Sequence, residues 1–350
     1  MSQRLATTPW IETAKATYRV IINFHERTNR GGFRTTPSGV VKLGVAVHIG
    51  EGLFLTNLHV LQWIPGTPVA QVTHTTHKAR IWLFSGSGNL DNKSVITPNR
   101  LVKGSLEVEA IGWPSSALGR ALMNSQAIYG GLMDRRFETD IRDDFCLLEA
   151  IERRWKATLR SGSRPHVLSG NVLGPPTPLT LTVTWVGING PTEEQVKYDP
   201  AVNSRRHLKD ALKALNPGII TYVTTTQAVR SVCPAHTIAL PGVNPDIIRY
   251  PISTSGGSSG TGIYESTSKR LIGLHCLHEL DHTNQLAPDV TDISITSPEN
   301  MGCAVLLTSQ RFRDFVREIV IPNFLRIGTL RAQRLANNWG RMVVNAPYIA

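Results

Sequence analysis

Short apolar runs broken by turn-forming clusters dominate the chain as far as about residue 307. Tyr18–Phe24 alternates imperfectly and predicts a strand after an N-terminal arm. Val40–Ile49 is rich in β-branched residues, Gly50-Glu51-Gly52 reads as a tight turn, and Leu53–Thr56 returns as its partner. Further strands are predicted at Ala79–Phe84, 105–113, Phe145–Ala150, Leu179–Ile188 and Gly218–Thr226. Others follow at His236–Leu240, Ile247–Pro251, Gly262–Glu265, Leu271–Leu277 and Cys303–Leu307.

Helical spacing occurs in few places. Leu208, Leu212 and Leu215 predict a short helix that stops at Asn216-Pro217, and Ala117–Gln126 has weak helical character. After residue 308 the period changes. Phe312, Phe315, Val316 and Ile319 share one helix face, Thr308 or Ser309 can serve as the N-cap, and Pro322 is expected to end or kink the helix. Residues 152–178, with Arg, Ser, Gly and Pro, read as a connector.

Many short strands divided by a polar connector predict an all-β chain of two antiparallel β-barrels with a C-terminal helical extension. The divisions are 1–155, carrying His59 and Asp144; 156–308, carrying Ser259 and His275; and a basic extension, 309–350. Two closed bodies leave a cleft between them where loops from both can meet.

Composition narrows the classes. The chain has 350 residues, 41% of them hydrophobic, enough for a large core and against global disorder. No apolar run is long enough for a transmembrane helix, and Met1–Arg19 lacks the continuous apolar core of a secretory signal. Cys146, Cys233, Cys276 and Cys303 lie far apart without CxxC spacing, which predicts no metal site and reduced thiols in a cytosolic setting. No cofactor is implied. The net charge of +11 favours an anionic partner such as RNA or an anionic membrane surface, a solvated basic surface being the alternative. From residue 301 on, Arg311, Arg313, Arg317, Arg326, Arg331, Arg334 and Arg341 stand against only Asp314 and Glu318.

The candidate chemistry lies in three segments. Leu55-Thr-Asn-Leu-His59-Val60 sets a histidine just after a strand, Asp143-Asp144-Phe-Cys-Leu-Leu sets an acid at a strand mouth, and Thr254-Ser-Gly-Gly257-Ser258-Ser259-Gly260 sets a serine among glycines. Serine is a weak nucleophile unless a base sits beside it, imidazole is the natural base near neutral pH, and a buried carboxylate fixes its tautomer. Histidine, acid and Gly-flanked serine occur here in the chain order of the trypsin-like serine peptidase triad. Ser259 is the expected nucleophile, with Ser258 its rival. Asp144 is the expected acid, with Asp143 and Asp140 as neighbours that could serve. In that triad the oxyanion donors are the N–H groups of the serine and of the residue two before it, here Ser259 and Gly257.

These segments resemble the chymotrypsin-fold 3C-like peptidases of positive-strand RNA viruses. Gly44–Val60 resembles the base-histidine region, Asp144-Phe-Cys-Leu-Leu the acid segment, and Thr254-x-x-Gly257-x-Ser259-Gly260 the nucleophile motif of the serine-type arterivirus, astrovirus and sobemovirus enzymes. Leu271-Ile-Gly-Leu-His275 resembles the segment whose histidine lines the primary specificity pocket, and Asn300-Met-Gly-Cys-Ala-Val-Leu-Leu the last strand before a C-terminal helix. The intervals between His59, Asp144 and Ser259 exceed those of compact members, which implies insertions in both barrels. The resemblance implies a serine endopeptidase that cleaves a viral polyprotein in the host cytoplasm. It also implies that His275, helped by Thr254, donates a hydrogen bond to a Gln or Glu before the scissile bond. A buried histidine on a strand is the other reading of His275.

Overall fold

The computed structural model describes residues 10, 13–14, 16–27, 30, 33–35, 41–61, 77–84, 105–114, 128–129, 132–133, 141–151, 179–187, 220–223, 229–240, 247–250, 252, 257–267, 269–279, 301–307 and 309–345. The connector at 152–178, the helix expected at 207–215, the weak helical signal at 117–126 and Thr254 lie outside them.

The first sheet is built from β1 (Thr17–Arg27), β2 (Phe33–Thr35), β3 (Val41–Gly50), β4 (Leu53–Thr56), β5 (His77–Phe84), β6 (Ser105–Gly112) and, after the small hairpin β7 (Ile128–Tyr129) and β8 (Leu132–Met133), β9 (Cys146–Ala150). Its order is β2-β1-β3-β4-β9-β6-β5, and β5 pairs back onto β1, so six antiparallel strands close into a barrel with β2 added at one end of β1. Closure leaves those six strands without a free edge. Inside lie Val20, Ile22, Ala46, Phe54, Ile81, Leu83, Leu106, Val108, Cys146 and Leu148, from alternate positions of the strands.

The second sheet consists of β10 (Leu179–Gly187), β11 (Ile220–Val223), β12 (Val229–Leu240), β13 (Ile247–Tyr250), β14 (Gly262–Glu265), β15 (Leu271–Glu279) and β16 (Met301–Leu306). All its pairings are antiparallel, in the order β11-β12-β10-β14-β15-β16-β13, and among the described residues its two edge strands do not pair with each other. The molecule is thus mostly β, with one closed barrel, a second sheet and a helical C-terminus.

That terminus comprises α1 (Gln310–Phe315), a π-helical turn (Val316–Val320), α2 (Ile321–Ile327) and α3 (Leu330–Asn345). Ser309 caps α1, its side chain accepting the Phe312 N–H at 3.1 Å. Pro322 neither ends the helical run nor marks its stop. It lies at the start of α2, directly after the π turn, where the regular hydrogen-bond ladder is already altered. The run stops instead at Gly328, whose φ of 75° is the left-handed conformation that glycine tolerates.

The helices do not sit apart from the sheets. Phe312, Phe315, Val316, Val320, Phe324, Leu335 and Trp339 join one core with Val47, Leu55, Phe145 and Leu147 of the first sheet and Tyr264, Leu274, Cys276 and Val305 of the second. Each large side chain so buried contributes about 1.5–3 kcal/mol relative to exposure. Ion pairs add to this contact at its rim: Arg311 with Asp143, Arg326 with Glu149 and Arg331 with Glu51. Arg317 pairs with Asp314 within the helices. Four of the arginines that make the C-terminal segment basic therefore face carboxylates. No helix among the described residues is long and apolar enough to cross a membrane.

Candidate active site

His59 follows β4 in a single 3₁₀ turn, His59–Leu61, whose Val60 and Leu61 are buried and anchor the turn to the barrel. Gly44 makes room for it: a Cβ there would come within 2.5 Å of the Val60 side chain. The acid arrives by a second 3₁₀ turn, Ile141–Asp143, closed by a bond from the Phe145 N–H to the Asp143 carbonyl at 2.9 Å, after which β9 begins.

Asp144, with a side chain 4% exposed, accepts from His59 with both oxygens. The backbone N–H of His59 donates to Oδ1 at 2.8 Å, and His59 Nδ1 lies 2.6 Å from Oδ2. Asn57 holds the acid from behind, donating from Nδ2 to the Asp144 carbonyl at 2.7 Å. A carboxylate only accepts, so Nδ1 carries a proton, and in the neutral ring Nε2 then presents a lone pair. Nε2 faces Ser259 Oγ at 2.8 Å. The Ser259 hydroxyl also lies 3.3 Å from the Cys276 carbonyl of β15.

Ser259 is carried by the loop before β14, and that loop is tied to the barrel. The Val45 N–H of β3 donates to the Ser259 carbonyl at 2.7 Å, and the Gly260 N–H donates to the His275 carbonyl at 2.8 Å. Gly260 has a φ of +89°, and a Cβ on it would stand 1.9 Å from the Val45 carbonyl oxygen. Glycine is the residue that permits both the turn and the approach of the two sheets. Gly257 is also left-handed, at φ 80°.

His59, Asp144 and Ser259 are thus brought together from two sheets. Ser258 is buried beside Ser259, whereas it is Ser259 Oγ that meets the imidazole. Asp143 turns away and pairs with Arg311 at 2.6 Å. Among the described cysteines, Cys146, Cys276 and Cys303 are buried thiols. Burial, then the charge of Asp144, pushes the Cys146 thiol far above the usual range, which removes it as a nucleophile near neutral pH.

His275 lies on β15, 2% exposed, with Nδ1 hydrogen-bonded to the Tyr250 hydroxyl of β13. Burial, reinforced by Cys276 and Cys303, raises the Tyr250 phenol well above its ordinary range, so it stays O–H. When that O–H donates to Nδ1, the ring proton resides on Nε2 and the ring is a neutral donor. Asn57 and Tyr250 are contributors that the linear reading did not single out. Asn57 sits inside the base-histidine segment, but its partner is 87 positions away. Tyr250 ends β13, with no local mark of its link to His275 across 25 positions.

No protein-family profile matches the chain, and no curated protein matches it significantly. Solved structures of similar shape include a protease from Arthrobacter nicotinovorans, at 11% identity and TM-score 0.40, covering 83% of this chain and 90% of that one. Tobacco etch virus protease with bound product matches at 9% identity and TM-score 0.37, covering 89% and 80%. A scabies mite inactivated protease paralogue matches at 8% identity and TM-score 0.35, covering 88% and 95%. Likeness at this level carries no chemistry, and the functional reading stands on the residues of the site itself.

Proposed function

We propose that this chain is a serine endopeptidase that works through Ser259, His59 and Asp144. The observation that carries the reading is the continuous relay of contacts from Ser259 Oγ to His59 Nε2 at 2.8 Å and from His59 Nδ1 to Asp144 Oδ2 at 2.6 Å. Ser259 Oγ attacks the carbonyl carbon of the scissile peptide as its proton passes to His59 Nε2. The imidazolium that forms is stabilised by Asp144, and the proton then goes to the leaving amine. Water repeats the cycle on the acyl-enzyme and releases Ser259. The N–H groups of Gly257 and Ser259 are the proposed oxyanion donors, and the left-handed Gly257 is consistent with a backbone turned toward that oxygen.

The substrate reading follows from His275. A neutral imidazole held by Tyr250 offers an N–H suited to the side-chain oxygen of Gln or Glu, with Thr254 proposed as its helper. An apolar residue in that place cannot accept this bond, which favours Gln or Glu there. Together with the family resemblance, this supports a 3C-like enzyme that processes a viral polyprotein in the host cytoplasm, with the second sheet serving as the second barrel of the fold.

The test compares wild type with Ser259→Ala on peptides that differ only in the residue before the scissile bond. Wild type is expected to cleave after Gln or Glu, and S259A to lose several powers of ten in kcat while keeping the thermal midpoint of wild type. A fluorophosphonate should label Ser259 in wild type and nothing in the variant. S259A activity within a few-fold of wild type would sink the assignment. Cleavage after unrelated residues would keep the peptidase and remove the His275 pocket.

A further inference from the structure

Two carboxylates follow one another at the mouth of β9, both 3% exposed, and they diverge. Asp144 turns to His59 at 2.6 Å, while Asp143 Oδ2 receives Nη1 of Arg311 at 2.6 Å. Arg311 belongs to α1, 168 positions further along the chain. We propose that Arg311 is a positioning residue for the triad: by holding Asp143 in an ion pair, it leaves Asp144 as the carboxylate that reaches His59. The proposal rests on the reading of Ser259, His59 and Asp144 as the catalytic set.

The physical case begins with charge. Two adjacent carboxylates, each with a side chain 4% exposed, repel one another when both are charged. Opposite charge at hydrogen-bond distance holds the Asp143 carboxyl in place. The pair is anchored on both sides. On the helix side, α1 is capped by Ser309, and Phe312 (edge to face) and Phe315 (tilted) pack against Phe145, the residue after the acid, with ring centroids 4.9 and 5.0 Å away. On the loop side, the Phe145 N–H to Asp143 carbonyl bond makes the two acids one rigid turn. Without Arg311 the Asp143 carboxylate is a buried charge lacking this cation. The Asp143 charge, no longer offset by this cation, then acts on Asp144 through the turn that the two acids share.

The experiment is a double-mutant cycle on the full chain: Arg311→Met, Asp143→Asn and both together, with Arg311→Lys as the conservative variant. Readouts are kcat and KM on a peptide that wild type cleaves, the thermal midpoint, and the far-downfield proton resonance of the His59–Asp144 hydrogen bond. R311M is expected to lose roughly ten- to a hundred-fold in kcat at nearly unchanged KM, the range that misplacing a catalytic group costs. Its downfield resonance should shift or disappear. D143N, which removes the competing charge, should stay within about three-fold of wild type, and the double variant should return to the D143N level. R311K, retaining the charge, should fall between wild type and R311M.

R311M with the kcat and resonance of wild type would overturn the proposal. So would a double variant as impaired as R311M, because Arg311 would then act through packing alone. Should R311M fail to fold, R311K and the double variant carry the same comparison. Failure of the peptidase reading looks different: wild type would neither cleave nor take the fluorophosphonate. The resonance in the four proteins would then still report whether Arg311 directs Asp144.

Discussion

Asp144 commits one oxygen to the backbone N–H of His59 and the other to its ring, and this bidentate grip defines the imidazole tautomer. Asp144→Asn keeps the shape but allows an amide N–H to face Nδ1, which favours the tautomer with its lone pair on the wrong nitrogen. The expected result is a loss of order 10⁴ in kcat with KM little changed. Steady-state kinetics and a thermal melt on the same preparation check it, and a D144N enzyme with a kcat near that of wild type would remove Asp144 from the mechanism. Asn57 and Tyr250 act one step further out, each by a single contact to a residue of the site. Neither contact was legible in the sequence, because an Asn before a His and a Tyr at a strand end are ordinary residues until the fold brings their partners to them.

The strands were the most legible elements, since β-branched runs and Gly-rich turns act locally. The hairpin of β3 and β4 follows from Val41–Gly50, the turn Gly50-Glu51-Gly52 and Leu53–Thr56, all within one stretch. The C-terminal helices were legible in part. The Phe312, Phe315, Val316 and Ile319 face marked a helix, and of the two proposed caps Ser309 is seen to bind the Phe312 N–H. Pro322 does not end the run, because the chain passes through a π turn just before it, and that turn leaves no mark in the local sequence. The aromatic contact of α1 with Phe145 has its own test. Phe312→Ala empties a site enclosed by Phe145, Phe315 and Trp339 and should cost about 3–5 kcal/mol. Urea unfolding should show a lower midpoint at constant slope, and a midpoint equal to that of wild type would mean that α1 is not held by this cluster.

Among the described residues, one apolar cluster runs through the first sheet, the second sheet and the C-terminal helices, beside the cluster inside the barrel. Its rim carries arginines paired with Glu51, Asp143 and Glu149, which lie beside the elements that deliver His59 and Asp144. A chain ending at Leu307 would expose Phe145, Val47 and Leu55 to water and break these pairs. Such a protein is expected to lose cooperative unfolding, bind a hydrophobic dye and show no peptidase activity. Calorimetry and dye fluorescence on the truncated chain test this, and a sharp transition matching that of the full chain would make the helices an appendage. Of the basic residues behind the +11 charge, Arg311, Arg317, Arg326 and Arg331 face carboxylates of the same molecule.

The linear chain by itself determined the β-rich class, the late change to helix and the order of histidine, acid and glycine-flanked serine. Strand periodicity, turn chemistry and capping are properties of neighbouring residues and need no knowledge of the fold. Folding in three dimensions selected Asp144 over Asp143, closed the first sheet through the pairing of β5 with β1, and joined Arg311 to the acid loop. Each of those outcomes depends on charges or backbone groups far apart in sequence. Burial makes them decisive, because a carboxylate or an amide withdrawn from water must find its partner wherever the packing of the two sheets and the helices provides one.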